Sequence, residues 1–243
     1  MTRLALLGFD ADDTLWQNEQ FFRLNETRFA EMLGAHGEHD AITARLLDAE
    51  RRNLEFYGYG IKGFTLSLIE TAIEVTQGRV EASVIHDILE MGREMLRHPV
   101  EALPGAREAL EALSESHRLV LVTKGDLFDQ ERKLAASGLG DFFAGVEIVS
   151  DKRADTYARI FARHGEGAER GLMVGNSLKS DVLPMIAAGG WGVHVPHPLT
   201  WVLEHAEAPE DHPRFRVIEG LAELPALVAA IEGEGLPVDP TLG

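Results

Sequence analysis

Three acidic residues, Asp10, Asp12 and Asp13, directly follow the apolar run Leu4–Phe9. A short apolar run is typical of a strand buried on both faces of a parallel sheet, and ligands bind at the carboxyl ends of such strands. Asp10 and Asp12 can converge where the chain turns, and two carboxylates that close repel each other unless a cation or a proton intervenes. The cluster therefore predicts a divalent metal ion, a nucleophile beside an acid/base group, or both. The structural alternative is an acidic turn that only ends a strand.

Polar side chains follow three further apolar runs of the chain. They are Thr123 and Lys124, Asp151 and Lys152, and Asn176 and Ser177 with Ser180 and Asp181. Parallel strands end at one edge of a sheet, so these side chains are expected to meet there. Their chemistry suits the hydrolysis of a phosphate ester. An aspartate is anionic at neutral pH and can attack phosphorus, hydroxyl and ammonium groups can bind the phosphoryl group, and carboxylates can ligate Mg²⁺.

The elements that must position these residues follow from the hydrophobic periodicity. Strand and helix patterns alternate after residue 99, with strands predicted over 119–122, 146–149, 172–174, 191–195 and 215–218. The helix after the strand at 172–174 is predicted to begin near Ser180. This alternation predicts an α/β fold, a doubly wound parallel sheet of the Rossmann-like kind. Residues 17–98 show only helical periodicity, and helices are predicted over 19–33, 41–56, 65–76 and 80–97. We interpret this segment as an inserted all-helical bundle.

The residues of the first turn carry a family resemblance. Phe9-Asp10-Ala11-Asp12-Asp13-Thr14-Leu15 resembles the first motif of the haloacid dehalogenase superfamily, commonly hhhDxDGT. Asp13 replaces the usual glycine, and Asp tolerates a positive φ better than most side chains. Further motifs of the family match Thr123, Lys152 and Asp181 in the correct order. The resemblance implies a Rossmann-like catalytic core at 1–16 and 99–243 with a helical cap domain at 17–98.

The resemblance also implies a role for each matching residue. Asp10 is the expected nucleophile, Asp12 the expected acid/base, and Thr123 and Lys152 the expected phosphoryl-binding groups. Lys124 is an equally placed rival for the phosphate. The expected Mg²⁺ ligands are Asp10, Asp12 through its backbone carbonyl, Asn176 and Asp181. Asn176 replaces the first acid of the fourth motif, so the site has one negative charge fewer and a lower expected metal affinity.

The cap is expected to close over the active site and to select the substrate. The stretch 57–64, with three glycines, is interpreted as a shaped loop whose Tyr57, Tyr59 and Lys62 contact the substrate. The alternative is that this loop only joins two helices. An occluding cap favours a small phosphorylated metabolite over a phosphoprotein.

Several reactions are possible on this fold. Haloacid dehalogenases lack an acid at the position of Asp12, and phosphonate hydrolases of the family use a cap lysine, for which Lys62 is the candidate. Phosphotransferases and mutases keep both acids, and a catalytically silent binding module is the alternative from another class. We interpret the chain as a Mg²⁺-dependent phosphohydrolase that acts through an aspartyl-phosphate.

Composition limits the partners and the compartment. The 243 residues carry a formal charge of −17, which disfavours nucleic acid and anionic membranes as partners. The chain has no cysteine, and neither a signal peptide nor a membrane span is recognised, so we expect a cytoplasmic protein. Residues 233–243 are expected to form a loosely held tail. The sequence does not predict the oligomeric state.

Overall fold

A computed structural model describes residues 3–234 of the chain. The described residues form one parallel sheet whose strand order is β3-β2-β1-β4-β5-β6. Its strands are β1 (Leu6–Phe9), β2 (Leu119–Lys124), β3 (Gly145–Val149), β4 (Gly171–Gly175), β5 (Trp191–His194) and β6 (Phe215–Val217). The first strand lies in the centre, so its carboxyl end is flanked by the ends of β2 and β4.

The helices divide between the sheet and the insertion. Those of the insertion are α1 (Glu19–Met32), α2 (His39–Tyr57), α3 (Ile61–Val75) and α4 (Ala82–Arg97). Those that follow are α5 (Ala106–Ser114), α6 (Leu127–Ser137), α7 (Ala154–His164), α8 (Leu183–Ala187) and α9 (Leu224–Glu234). The predicted α/β fold with a doubly wound parallel sheet and an inserted helical segment is confirmed. No helix among residues 3–234 is long and apolar enough to cross a bilayer.

Alternate residues of each strand pack on opposite faces of the sheet. On one face, Leu7, Phe9 and Leu121 join the cluster that includes Trp16 and Trp191, and on the other, Leu6 and Val120 join the cluster that includes Phe161. Gly8 is required in β1 because a Cβ there would lie 2.9 Å from both Met173 Sδ and Phe161 Cζ. Burial on both faces explains why β1 and β4 are continuously apolar.

The inserted helices have an apolar cluster of their own. It contains side chains from all four helices, among them Phe29, Leu46, Leu68 and Met91. The chain boundaries that we assign to a core and a cap, at 16–17 and 98–99, stay a prediction. Of the expected tail, Gly233 and Glu234 belong to α9, and the rest lies outside the described residues.

Two predicted element bounds are wrong. Residues 57–64 do not form one loop, because α2 continues to Tyr57 and α3 begins at Ile61, which leaves only Gly58–Gly60 between them. The helix predicted to begin near Ser180 begins at Leu178 with a π-helical turn, where Ser177 accepts a hydrogen bond from the backbone N–H of Ser180. Pro184 lies in the first turn of α8, as its missing N–H requires.

Candidate active site

Most of the predicted site residues line one cavity of about 160 Å³ between the sheet edge and the inserted helices. They are Asp10, Asp12, Tyr59, Thr123, Lys124, Lys152, Asn176 and Asp181. Tyr57 and Lys62 do not line it. Topology explains the convergence, since Asp10 follows β1, Thr123 and Lys124 end β2, and Asn176 follows β4.

Lys152 joins two buried carboxylates at the centre of this edge. Its Nζ donates hydrogen bonds to Asp10 Oδ1 and, at 2.6 Å, to Asp181 Oδ1. Although burial opposes the ammonium form, the charges of Asp10 and Asp181 raise the pKa of Lys152 above its ordinary value. Burial first, and the charge of Asp181 second, raise the pKa of Asp10 to about 7 despite Lys152. One ammonium group therefore serves two carboxylates, and the pair is short of positive charge.

The turn after β1 is fixed by Thr14 and Asp13. Thr14 Oγ1 donates to Asp10 Oδ2 at 3.0 Å and accepts from the Asn176 backbone N–H at 3.0 Å, which ties β1 to β4. Asp13 has φ +60°, in the left-handed region that glycine adopts most easily. Aspartate tolerates this conformation better than most residues, which explains how it can replace the glycine of the motif. Its carboxylate accepts the N–H groups of Asn18 and Glu19 at the start of α1. Sequence reasoning missed this helix-capping role.

Asp12 is held by a different set of donors. Its carboxylate accepts from Trp16 Nε1 at 2.8 Å, Gln130 Nε2 at 2.8 Å and Lys133 Nζ at 2.9 Å. Burial favours the protonated form, but the charge of Lys133 and these hydrogen bonds outweigh it and lower the pKa of Asp12. The structure therefore brings Asp12 into the cavity as a carboxylate.

Gln130 and Lys133 were not predicted from the sequence. They lie three residues apart on one face of α6, which begins directly after the polar end of β2. That spacing was the available signal, because the first turns of a helix after a strand lie at the edge of the sheet where ligands bind.

Lys124 has its own carboxylate partner. Its Nζ donates to Glu204 Oε1 and to Ser180 Oγ, both at 2.7 Å, and lies 4.0 Å from the centre of the Tyr59 ring. Burial opposes ionisation of Glu204, but Lys124 lowers the pKa of that carboxyl overall. Both lysines were candidates for binding the phosphate. Lys152 contacts Asp10, whereas Lys124 is paired with Glu204. No sequence pattern predicts the role of Glu204, which lies in a segment without periodicity after β5.

The inserted helices supply the opposite wall. Three glutamates, Glu19, Glu26 and Glu50, line it together with Asn53 and apolar side chains of Phe22, Leu54, Ile61 and Phe64. Tyr59 contacts Trp201 in the segment after β5, and the centres of the two rings lie 6.2 Å apart. Lys62 instead forms an ion pair with Asp126 at 2.8 Å, and Tyr57 is exposed at the end of α2.

No group of three or more histidine or acidic side chains is placed to hold a metal ion within residues 3–234. The His194 ring forms a hydrogen bond with the backbone, since its Nε2 lies 3.1 Å from the Asn176 carbonyl oxygen. Asp10, Asn176 and Asp181 line the cavity with hard oxygen donors, and Lys152 donates hydrogen bonds to the two carboxylates among them.

Comparison with known proteins gives the family and the fold. Residues 4–189 match the sequence model described as a haloacid dehalogenase-like hydrolase. A haloacid dehalogenase-like family hydrolase from Xanthomonas campestris is similar at 45% identity over 95% of this chain and 93% of that one, with a TM-score of 0.85. No curated protein matches.

Two more distant structures share the fold. The magnesium-bound HAD-hydrolase YfnB from Bacillus subtilis is 20% identical over 93% of this chain and 99% of that one, with a TM-score of 0.65. The L-2-haloacid dehalogenase from Xanthobacter autotrophicus with chloropropionic acid covalently bound is 19% identical over 94% and 99%, with a TM-score of 0.64. At such identities the likeness extends to the fold alone.

Proposed function

The chain belongs to the haloacid dehalogenase-like hydrolases, and we propose that it hydrolyses a small phosphate monoester with Asp10 as the nucleophile. The observation that carries this proposal is the cavity that Asp10 shares with a second acid, Asp12, and with the ammonium groups of Lys124, Lys133 and Lys152. An anionic phosphoryl group needs such fixed cationic donors, and its alcohol leaving group needs a proton.

The reaction has two balanced steps. A carboxylate oxygen of Asp10 forms a bond to phosphorus while the bond between phosphorus and the ester oxygen breaks, and that oxygen takes a proton from Asp12. Asp12 then takes a proton from water, the water oxygen bonds to phosphorus, and phosphate leaves with Asp10 restored. Lys133 lowers the pKa of Asp12, so Asp12 is ionised before the substrate binds. The proton for the first step therefore reaches Asp12 from the singly protonated phosphate ester, and the proton taken from water in the second step returns to the departing phosphate.

A magnesium ion fits the donor set at the sheet edge. Asp10 and Asp181 supply carboxylate oxygens and Asn176 an amide oxygen, and hard oxygens of this kind are the ligands that Mg²⁺ takes. The single ammonium of Lys152 leaves the two carboxylates one positive charge short. We assign the ion to Asp10, Asn176, Asp181 and the backbone carbonyl of Asp12. When bound, it would offset the repulsion between the attacking carboxylate and the phosphoryl group.

A haloacid dehalogenase is the second candidate. Asn176 in place of an acid favours it, because a reaction that expels halide needs neither a metal ion nor a proton donor. Asp12 opposes it, because an acid at that position has no role when halide leaves. The two reactions share an attack by Asp10 and differ in the atom attacked, phosphorus or carbon.

The test is turnover of p-nitrophenyl phosphate and of 2-chloropropionate, each with Mg²⁺ and with EDTA. We expect Mg²⁺-dependent release of phosphate, no release of chloride, and loss of activity in Asp10→Asn. Asp141→Asn, an exposed carboxylate away from the cavity, is the matched control and should keep the activity. Chloride release with no phosphate release would replace the phosphatase with the dehalogenase, and full activity in Asp10→Asn would exclude both.

A further inference from the structure

The wall of the cavity formed by the inserted helices has more carboxylates than cations. Glu19, Glu26 and Glu50 all line it. Arg23 is the cation near them, with Nε 3.0 Å from Glu19 Oε1 and a terminal nitrogen 3.3 Å from Glu26 Oε2. One guanidinium, whose side chain is 43% exposed, therefore serves two carboxylates. Within residues 3–234, the side chain of Glu50 has neither a hydrogen bond nor an ion pair.

A second observation indicates that this wall faces a ligand. Glu19 is only 6% exposed, and its Oε1 lacks a hydrogen-bond partner among the described residues, although Arg23 Nε lies 3.0 Å away. Burial, reinforced by Asp13 and opposed by Arg23, raises the pKa of Glu19 to about 8. Burial and Glu26 raise the pKa of Glu50 to about 8 as well. A buried acceptor without a donor is costly, so a donor that carries positive charge would stabilise the Glu19 carboxylate. Its charge would also stabilise the carboxylate form of the partly buried Glu50.

We propose that Glu19 and Glu50 bind an ammonium group on the leaving alcohol, so that the substrate class is an aminoalkyl phosphate monoester. This inference rests on the proposed phosphatase function. The two ends of the cavity offer different groups, since the sheet end supplies the ammonium groups of Lys124, Lys133 and Lys152 and the helical end has three glutamates for one arginine. The apolar side chains of Phe22, Leu54 and Phe64 line the wall and suit the methylene groups between phosphate and ammonium.

A polyol phosphate is the competing substrate class, because hydroxyl groups also donate to carboxylates. A hydroxyl leaves Glu19 and Glu50 mostly protonated at neutral pH, because burial raises the pKa of each to about 8. An ammonium group instead favours the carboxylate form and donates charged hydrogen bonds to it. The charge of the substrate, rather than its number of donors, should therefore decide the rate.

The test compares isosteric esters that differ by one charge. The pairs are 2-aminoethyl with propyl phosphate and 3-aminopropyl with butyl phosphate, and glycerol phosphate serves as the polyol. We expect kcat/KM to be higher for the ammonium ester of at least one pair by about 10- to 100-fold, the value of a hydrogen bond to a charged group. Glu50→Gln and Glu19→Gln should each reduce this ratio by about 10-fold or more. Glu55→Gln, an exposed charge on the same helix as Glu50, is the matched control and should leave the ratio unchanged.

Binding of non-hydrolysable phosphonates separates failure of the inference from failure of the proposed reaction. Calorimetry on the intact protein compares 3-aminopropylphosphonate with butylphosphonate. If p-nitrophenyl phosphate is turned over but neither esters nor phosphonates show an ammonium preference, or glycerol phosphate is preferred, the inference is overturned and the phosphatase stands. If no ester is turned over but the aminophosphonate binds better and loses that advantage in Glu50→Gln, the ammonium site stands and the reaction is overturned.

Discussion

Both ends of the cavity carry carboxylates, but cations pair them more completely at the sheet edge than on the wall of inserted helices. At the sheet edge four acids contact a largely buried lysine, in the groups Asp10–Lys152–Asp181, Asp12–Lys133 and Glu204–Lys124. On the wall of the inserted helices, Glu19 and Glu26 share the partly exposed Arg23, and Glu50 has no partner among residues 3–234. The sheet edge is thus preorganised, whereas the helical wall is left incomplete.

This difference separates two requirements of one site. A group that attacks or transfers a proton must be held in a fixed position, and paired charges with several hydrogen bonds provide that. A group that recognises a substrate must keep its bonding capacity free, although an unpaired buried carboxylate destabilises the folded protein. The inserted helices therefore carry three acids for one arginine, and the sheet edge carries the acids that are paired with lysines.

Loss of Lys152 should have the largest effect, because it would turn the paired end into an unpaired one. In Lys152→Met, Asp10 and Asp181 lose their shared cation, and the pKa of Asp10 rises further, so less of the nucleophile is ionised. We expect turnover of an aryl phosphate to fall by about 1000-fold and the free energy of unfolding by about 3 kcal/mol. Steady-state kinetics and urea unfolding measure the two effects.

The control is Lys179→Met, because Lys179 is an exposed lysine. Turnover by Lys152→Met within tenfold of the wild-type value would refute the assignment of Lys152 to the active site.

Loss of Lys133 should shift the pH profile. Its charge is the chief influence that lowers the pKa of Asp12, so Lys133→Met should raise that pKa and move the acidic limb of kcat towards neutral pH. At pH 5 to 6 we expect turnover to fall by about 10-fold, the low end for general acid–base catalysis, and to recover in part above pH 7. The profile of Lys179→Met should overlay that of the wild type. An unmoved acidic limb in Lys133→Met would show that Asp12 does not act as the base.

The contrast between the two ends also explains what the sequence could predict. The sheet-edge residues follow apolar runs directly, so their position in sequence determines where they lie once a parallel sheet forms. Asp10, Thr123, Lys152 and Asp181 were found in this way. Gln130, Lys133 and Glu204 were missed because their directions depend on how a helix and an aperiodic loop pack against the sheet, which no local pattern encodes.

The wall formed by the inserted helices was harder to predict from the sequence, because it too depends on how helices pack. Three glycines predicted a loop over 57–64, but α3 begins at Ile61 and contains Gly63, where a Cβ would lie 2.9 Å from the Gly58 carbonyl oxygen. Close packing at the tight turn, rather than backbone freedom, explains that glycine. The glutamates of α1 and α2 read as ordinary solvent-facing charges in the sequence. Only the packing of the two helices turns them towards the cavity.

The unpaired wall should also make stability fall with pH. The pKa of Glu50 is about 8 in the folded protein and near 4.5 when unfolded. Between these values the folded state binds more protons, so stability is greatest below the lower value and is lost as pH rises through the higher one. From pH 6 to pH 9 the free energy of unfolding of the wild type should therefore fall. That of Glu50→Gln should fall by less, and the two decreases should differ by an amount on the order of 1–2 kcal/mol. Urea titrations measure this, with Glu55→Gln as control. Equal slopes in the wild type and Glu50→Gln would show that Glu50 is solvated.

The smallest effect is expected for Lys62, which joins the two regions without lining the cavity. Its ion pair with Asp126 is 2.8 Å long, but the Lys62 side chain is 55% exposed, and exposed pairs contribute at most about 1 kcal/mol. Lys62→Met should therefore change kcat and KM less than about threefold and lower the free energy of unfolding by less than about 1 kcal/mol. The conservative Lys62→Arg should match the wild type. A KM increase of tenfold or more in Lys62→Met would instead support the sequence-based prediction that Lys62 contacts the substrate, and would place it beside the glutamates as a recognition residue.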